Sequence, residues 1–142
     1  MNDLIFQEMK IEDYDQVFRL WQGTEGMGLS EADSRIDIEK FLERNKGLSF
    51  VCRDNERMIG TVLAGHDGRR GYIYHLAVTP EYRSRGVAKE LVSKSLQRLK
   101  EEGIGKCHLF VFKDNDLGKR FWMKAGWLKR EDIEVFSKNN QG

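Results

Sequence analysis

The feature that most constrains the fold is a basic, glycine-containing turn between a short apolar strand and an amphipathic helix. Residues 76–91 read Leu-Ala-Val-Thr-Pro-Glu-Tyr-Arg-Ser-Arg-Gly-Val-Ala-Lys-Glu-Leu. From Gly86 to Gly103 the apolar residues recur at helical spacing, and charged residues take the opposite face. The apolar positions are Val87, Leu91, Val92, Leu96 and Leu99. The sequence therefore predicts an α/β chain in which a strand leads through this turn into a helix.

The chemistry of this turn favours an anion. The first N–H groups of a helix have no intrahelical partner, and the aligned peptide dipoles place partial positive charge there. Gly86 lets the backbone approach a diphosphate without a Cβ in the way, and the small Ala88 keeps the next turn open. Arg83 and Arg85 add charge beside the amides. The turn matches neither a Walker loop nor a dinucleotide fingerprint, yet it predicts pyrophosphate binding.

A second block follows the amphipathic helix. Residues 108–112 read as an apolar strand, after which Asn115 precedes a helical segment that contains Gly118. That segment carries the aromatic pair Phe121 and Trp122 and is followed by Ala125, Gly126 and Trp127. Asn is also one of the best residues for capping a helix, so Asn115 has a structural interpretation as well as a binding one.

Together the two blocks resemble the GNAT family, the GCN5-related N-acetyltransferases. The turn fits the family pattern Arg/Gln-x-x-Gly-x-Gly/Ala, and the second block resembles the family ending of strand, Asn, helix with a paired aromatic, and Gly-aromatic. The resemblance extends from Leu4 to Phe136. It implies a single domain over residues 1–142, an α/β three-layer sandwich with a mostly antiparallel mixed sheet. It also implies that the strand before the turn and the strand after its helix run parallel and splay apart.

The resemblance implies acetyl-CoA as the cofactor and assigns residues to it. The pyrophosphate is expected on residues 83–88, namely Arg83, Ser84, Arg85, Gly86, Val87 and Ala88. The pantetheine arm is expected to pair with the main chain of Leu76, Ala77 and Val78 in the gap between the splayed strands. The remaining expected cofactor contacts are Asn115, Gly118, Phe121 and Trp122. Phe121 and Trp127 also suit a plain core role, as aromatic residues near a helix end usually do.

Trp122 departs from the family pattern. Many members carry Tyr at this position, where the hydroxyl protonates the departing CoA thiolate. An indole N–H does not ionise near neutral pH, so the chain lacks that acid. We expect the proton to come from solvent or from another residue.

The base that accepts a proton from the attacking amine is expected on the strand before the turn. His75 is the first choice because it titrates nearest to neutral pH, although a structural role is equally compatible with its position. Tyr74 is the second catalytic candidate, as a group that orients a water molecule or supplies the missing proton. Neighbours on a strand point to opposite faces, so both can face the acyl group only if a bulge intervenes.

The acceptor site is expected near the first two helices and the turn at residues 66–71. Trp21, Glu25 and Asp67 are the proposed substrate contacts, with Glu31 as a further candidate. Asp67 is followed by Gly68, and this pair is itself a strong turn signal, so a purely structural role for Asp67 stays open.

The predicted elements lie along the whole chain. Helices are expected from residue 14 to Gly23 and around residues 36–42. Strands are expected at residues 4–6, 48–52, 58–64, 72–78, 108–112 and 133–136.

Composition limits the partners. The 142 residues carry a net charge of +1 with acids and bases interspersed, which gives no support to nucleic acid or an anionic membrane as a partner. No apolar stretch reaches the length of about 20 residues that spans a bilayer. Cys52 and Cys107 lack a disulfide-like spacing and suit buried thiols in a reducing compartment, with a bridge between them as the alternative, so a cytoplasmic protein is expected. No metal site is expected, because the adjacent Cys107 and His108 would face opposite sides of a strand.

The expected function is an acetyl-CoA-dependent N-acetyltransferase. By the resemblance it transfers an acetyl group to a primary amine of a small molecule or peptide, by direct attack in a ternary complex. The alternative is a non-catalytic acyl-CoA-binding sensor or interaction domain of the same fold. This alternative stays open because position 122 carries Trp where many family members carry Tyr. The acceptor is not identified by the sequence, and a homodimer through the last strands stays open.

Overall fold

The computed structural model describes residues 3–140, which form seven strands and four helices. The strands are β1 (Leu4–Glu8), β2 (Phe50–Asp54), β3 (Arg57–Val62), β4 (Ala64–His66), β5 (Gly71–Ile73), β6 (Ala77–Val78) and β7 (Cys107–Leu109). The helices are α1 (Tyr14–Gln22), α2 (Arg35–Arg44), α3 (Val87–Glu101) and α4 (Asp116–Lys124). The chain divides after Phe110 into two compact units, of which the second contains α4. The single domain expected over residues 1–142 stays a prediction.

The first unit contains two sheets. The larger sheet has the order β1-β2-β3-β6 and is antiparallel throughout. The smaller has the order β4-β5-β7, in which β4 is antiparallel and β7 parallel to β5. The predicted α/β fold with a mostly antiparallel, mixed arrangement of strands is confirmed.

Helices cover both faces of the larger sheet. A Cβ built on Gly60 of β3 would lie 3.0 Å from a methyl carbon of Leu91 on α3. The neighbouring Thr61 accepts a hydrogen bond of 3.0 Å from the indole N–H of Trp21 on α1. Because adjacent strand residues point to opposite faces, α1 and α3 lie on opposite sides of β3. This is the predicted order of helix, sheet and helix.

The amphipathic helix α3 lies where its sequence pattern predicts. Its buried residues are Val87, Leu91, Val92, Ser95 and Leu99. The only hydroxyl among them, on Ser95, donates to the main-chain oxygen of Leu48 at 2.7 Å, so its burial leaves no donor unpaired. Gly103, which has a left-handed φ of 85°, follows the helix, as expected of a glycine at a helix end.

One predicted strand is in fact two. Residues 72–78 were expected to form one continuous strand, but β5 ends at Ile73 and β6 begins at Ala77. The antiparallel partner, expected at residues 58–64, likewise divides at Leu63 into β3 and β4. Ala64 pairs with Ile73 and Thr61 pairs with Ala77. Two residues (62 and 63) therefore face three (74, 75 and 76), which is a β-bulge with one extra residue.

The bulge produces the splayed pair of strands. Before it, β5 is parallel to β7, with Ile73 opposite Leu109. After it, β6 leaves β7 and joins the larger sheet beside β3. The strand before the basic turn and the strand after its helix thus run together and then diverge, as the family resemblance implied.

The expected final strand is wrong for the described residues. No strand is found at Ile133–Phe136 or elsewhere between residues 110 and 140, and β7 ends at Leu109 rather than at residue 112. Ile133, Val135 and Phe136 are exposed. Alternating apolar residues form a stable strand only where a neighbouring strand completes the hydrogen bonds, and the second unit contains no strand among its described residues.

No helix between residues 3 and 140 is both long enough and apolar enough to cross a bilayer.

Both cysteines are free thiols. Cys52 is fully buried, and this burial raises its thiol pKa to about 11. Burial also raises the pKa of Cys107, which is only partly buried.

We expect the Cys52 thiol to be inert in the folded protein. At about pH 8 a thiol with so high a pKa is ionised to only about one part in a thousand, and the side chain has no access to solvent. In a Cys107→Ser variant, Ellman's reagent should therefore titrate no thiol in buffer and one thiol in urea. A full equivalent of rapid reaction in buffer would contradict the buried position.

Candidate active site

The turn before α3 presents a row of free backbone donors. Gly86 has a φ of 83° and Ser84 a φ of 63°, both in the left-handed region, and together they turn the chain into the helix. The first hydrogen bond of the helix runs from the Glu90 N–H to the Gly86 oxygen, at 3.0 Å. No side chain caps this end, so the N–H groups of residues 84–89 have no acceptor among residues 3–140. Three of these donors, on residues 84–86, lie in the turn, and three, on residues 87–89, lie in the first turn of α3. Such a group of free donors at a helix N-terminus favours an anion.

The space in front of these donors is open. A Cβ built on Gly86 would meet no atom within 4 Å, and the turn is exposed. Nε of Arg83 donates to the Val78 oxygen at 2.9 Å, which ties the turn to β6 and leaves the two terminal nitrogens of the guanidinium without an acceptor among the described residues. The guanidinium of Arg85 lies 5.2 Å from the ring centre of Tyr82 and forms no ion pair within residues 3–140. Residues 83–88 therefore fit a pyrophosphate group.

The free edge of β6 adjoins this turn. The Thr79 N–H donates to the Ile59 oxygen at 2.9 Å. Main-chain hydrogen bonds between antiparallel strands alternate, so the N–H and C=O groups of Ala77, which pairs with Thr61, also point toward β3. Val78 lies between these positions, and its N–H points away from β3 to the open edge. The Leu76 N–H likewise has no acceptor among the described residues. An extended chain that carries amides, such as pantetheine, can pair with this edge.

Tyr74 and His75 both lie in the bulge and both contact the helices on the same face of the sheet. The Tyr74 ring stacks on Tyr72, with ring centres 6.1 Å apart, and meets Phe41 of α2 edge-on at 5.8 Å. The His75 ring meets Trp21 of α1 edge-on at 4.7 Å. Partial burial raises the pKa of Tyr74 above its ordinary value. Its hydroxyl therefore stays protonated at neutral pH and acts as a donor.

His75 is paired with Asp33, a carboxylate that was not among the predicted site residues. Its Nε2 lies 2.7 Å from Oδ1 of Asp33, a buried residue in the short 3₁₀ turn before α2. Glu31, the acceptor-site candidate two residues earlier, is exposed. The spacing Ser30-x-x-Asp33 is a capping signature that marks Asp33 as ordered. No sequence signal links it to a histidine 42 positions away.

The three proposed acceptor residues have different surroundings. Trp21 is fully buried in the core, so its side chain lines no open surface. Oδ1 of Asp67 accepts the N–H groups of Arg69 and Arg70, at 2.8 and 2.9 Å, and these bonds lower the pKa of the carboxyl group. This carboxylate therefore holds its own turn together, while Oδ2 has no partner among residues 3–140. Glu25 is exposed beyond the end of α1 and forms no ion pair with the described residues.

In the second unit Asn115 caps α4. Its Oδ1 accepts the Gly118 N–H at 2.9 Å, while its Nδ2 has no acceptor among the described residues. A Cβ built on Gly118 would lie 2.6 Å from Nδ2 of Asn115, so the cap needs glycine at this position. The amide group of Asn115 is thus divided into an oxygen used by the helix and a nitrogen that can donate to a ligand.

The aromatic residues of the second unit pack on one another. The ring centres of Phe121 and Trp122 are 5.0 Å apart, and those of Trp122 and Trp127 are 5.2 Å apart. The Trp127 N–H donates to the Trp122 oxygen at 3.0 Å, which fixes the chain after α4 against the helix. All three side chains are partly buried.

Replacing Gly118 by Ala should break the α4 cap. The added methyl group displaces the Asn115 amide and should cost about 1 kcal/mol of local stability, as the loss of an N-cap does. Hydrogen exchange of the α4 amides measures this loss. Asn115→Asp is the matched control, because Asp keeps a capping oxygen and should protect α4 as well as Asn does. Equal exchange in Gly118→Ala and the native protein would show that the cap is dispensable.

Among residues 3–140 no group of three or more His, Cys, Asp and Glu side chains is arranged to hold a metal ion.

Comparison with known proteins decides the family. A sequence model of the Acetyltransferase (GNAT) family matches residues 14–127. The chain belongs to the GNAT family. An acetyltransferase of Pectobacterium atrosepticum is 36% identical over 105 residues, which are 74% of this chain and 74% of the relative. An acetyltransferase of Yersinia pestis is 36% identical over 129 residues, covering 91% of this chain and 89% of the relative.

Solved structures show the same GNAT fold. The PaiA N-acetyltransferase of Thermoplasma acidophilum in complex with coenzyme A superposes with a TM-score of 0.78 at 21% identity, covering 93% of each chain. The enzyme AAC(6')-Iy, bound to a bisubstrate analog of CoA and acetylneamine, gives a TM-score of 0.78 at 18% identity, covering 97% of this chain and 99% of that one. This GNAT chain is therefore an acyltransferase.

Proposed function

We propose that this GNAT enzyme transfers the acetyl group of acetyl-CoA to a primary amine of a small molecule or peptide. The amine attacks directly in a ternary complex. One observation carries the proposal: the six free N–H groups of residues 84–89 adjoin the open edge of β6 in one compact unit. A diphosphate bound by these N–H groups, together with an amide-bearing arm paired with the β6 edge, would aim a thioester at the bulge.

The bound cofactor supplies an activated acyl group. Residues 83–88 bind its pyrophosphate, and the main chain of residues 76–78 pairs with the pantetheine arm. The outward N–H of Val78 or Leu76 polarises the thioester carbonyl, which is stabilisation of the oxyanion type. From the second unit the proposed contacts are Asn115, Gly118, Phe121 and Trp122. The free Nδ2 of Asn115 supports its place among them.

His75 is the proposed base. It accepts the proton that the attacking amine loses as the C–N bond forms and the C–S bond breaks. Solvent water or the protonated hydroxyl of Tyr74 returns a proton to the leaving sulfur, because the indole of Trp122 cannot. Much of the rate enhancement comes from holding the amine and the thioester together.

The acceptor class is a primary amine whose cation is drawn by exposed carboxylates. Glu25 and the free Oδ2 of Asp67 are the proposed acidic contacts. Trp21 contributes only as the packing surface for His75. The structural neighbours include a complex with an acetylneamine analog and the NatC complex bound to a Gag peptide and CoA. The test therefore includes both small-molecule and peptide amines.

The proposed setting is the cytoplasm, without nucleic-acid or membrane partners. Two free, buried or partly buried thiols support a reducing compartment. A homodimer through the last residues is supported by the exposed Ile133, Val135 and Phe136. Light scattering after gel filtration measures it.

Release of CoA thiol with a panel of amines tests the function. The panel holds a polyamine, an aminoglycoside, an amino acid amide and a peptide with a free N-terminus, each beside its N-acetylated form. We expect saturable thiol release with at least one amine and none with its acetylated form. Tight CoA binding without release above the rate of hydrolysis for every amine would favour a binding-only protein.

A further inference from the structure

The contact between Asp33 and His75 joins two segments that are distant in sequence. His75 lies in the bulge before β6, and Asp33 lies in the 3₁₀ turn between α1 and α2. Their side chains are only 16% and 8% exposed, and Oδ1 is 2.7 Å from Nε2. A contact this short and this shielded from water fixes the geometry of both groups.

Asp33 is held in place independently of His75. Its Oδ2 accepts the main-chain N–H of Ser30 at 3.0 Å. Its own main-chain oxygen accepts the hydroxyl of Tyr14 at 2.6 Å. One oxygen and the backbone are therefore committed to local structure, and Oδ1 remains for the histidine.

The histidine ring is also held by a neighbouring aromatic residue. Trp21 packs edge-on against it and is itself fixed by the hydrogen bond to Thr61. The imidazole ring therefore cannot rotate to interchange Nε2 and Nδ1 without breaking the contact with Asp33. Nδ1 has no hydrogen-bond partner among residues 3–140.

A carboxylate accepts hydrogen bonds, so Nε2 of a neutral imidazole beside it carries the proton and Nδ1 carries the lone pair. We propose that Asp33 is a positioning residue that holds His75 in the Nε2–H tautomer, with Nδ1 free to accept the proton of the acceptor amine. Asp33 also stabilises the imidazolium formed when that proton arrives. This inference rests on the proposed role of His75 as the base.

Asp33→Asn tests the assignment. Asn keeps the size of the side chain and can still accept the Ser30 N–H, but its amide nitrogen then faces Nε2 and favours the opposite tautomer. Long-range proton–nitrogen NMR at a pH where His75 is neutral should show Nε2–H in the native protein and Nδ1–H in Asp33→Asn. With the best amine of the panel kcat should fall about tenfold or more, while the Kd of CoA stays within about twofold.

The chain offers a matched control. Nε2 of His66 lies 2.9 Å from Oε1 of Glu102, which is the same kind of contact between β4 and the end of α3. Glu102→Gln should alter the NMR signature of His66 alone and leave kcat unchanged. A double variant with His75→Gln and Asp33→Asn should be no slower than His75→Gln, because Asp33 acts only through His75.

The outcomes separate this inference from the proposed function. A native His75 with its proton on Nδ1 overturns the role of Asp33, and the spectrum of the native protein decides this even if Asp33→Asn does not fold. If NMR shows the expected tautomer but neither His75→Gln nor Asp33→Asn lowers kcat, then His75 is not the base. The proposed acetyl transfer is unaffected by that result. Loss of kcat in Asp33→Asn but not in His75→Gln also overturns the inference.

Discussion

Replacing Gly86 by Asp is expected to raise the Kd of CoA about a hundredfold, which corresponds to about 2.7 kcal/mol. The new carboxylate would stand in the open space before the free N–H groups of residues 84–89. There it competes for the donors and repels a diphosphate. The expected loss is large because a bound anion must give up its hydration and depends on those donors to replace it. Isothermal titration with CoA measures it without any acceptor amine.

Gly103→Asp is the matched control. Gly103 has a φ of 85°, against 83° for Gly86, and a Cβ built on either meets no atom within 4 Å. Both variants carry the same change of charge and the same backbone strain, about 1 kcal/mol, but at opposite ends of α3. We expect Gly103→Asp to bind CoA like the native protein. Equal affinity in the two variants would refute the pyrophosphate site.

Replacing Trp21 by Ala is expected to lower the free energy of unfolding by about 3–5 kcal/mol. The side chain is fully buried, and its removal leaves a cavity between α1 and the sheet. It also leaves the buried hydroxyl of Thr61 without its donor and removes the support of the His75 ring. Urea unfolding followed by circular dichroism measures the loss.

Two further variants assign the cause. Trp21→Phe fills most of the space but lacks the indole N–H, so it should cost about 1–3 kcal/mol. Ile36→Ala on α2 removes a side chain that is 66% exposed and should change stability by less than about 0.5 kcal/mol. A small stability loss in Trp21→Ala together with a raised KM for the amine would restore Trp21 as a direct acceptor contact.

Local chemistry explains what the sequence predicted well. The amphipathic spacing after Gly86 and the glycine at residue 103 define α3 through interactions within a few residues, and both ends are confirmed. The uncapped donors of residues 84–89 follow from the same local geometry. The helix α1 was likewise readable, because Val17 and Trp21 repeat at helical spacing and both are buried.

What the sequence could not show depends on long-range contacts. The pairing of Asp33 with His75 requires two segments 42 residues apart to meet, and neither residue carries a local sign of the other. The break at residues 74–76 results from the mismatch in pairing with β3 and β4, which is invisible in a continuous apolar run. The expected strand at 133–136 failed for a related reason, since alternation alone supplies no neighbouring strand.

The bulge makes the gap between the diverging strands a matter of chain length rather than of side-chain identity. The two pairing registers stay separated whatever side chains positions 74–76 carry, because the surplus residue remains between them. Deleting any one of residues 74–76 would instead bring the β4–β5 and β3–β6 pairings into one continuous register. A single continuous sheet would then leave no room for a thioester. An engineer seeking a new acceptor would therefore keep this segment's length constant, retain Tyr74 and His75 for the proton transfers, and vary side chains outside the segment.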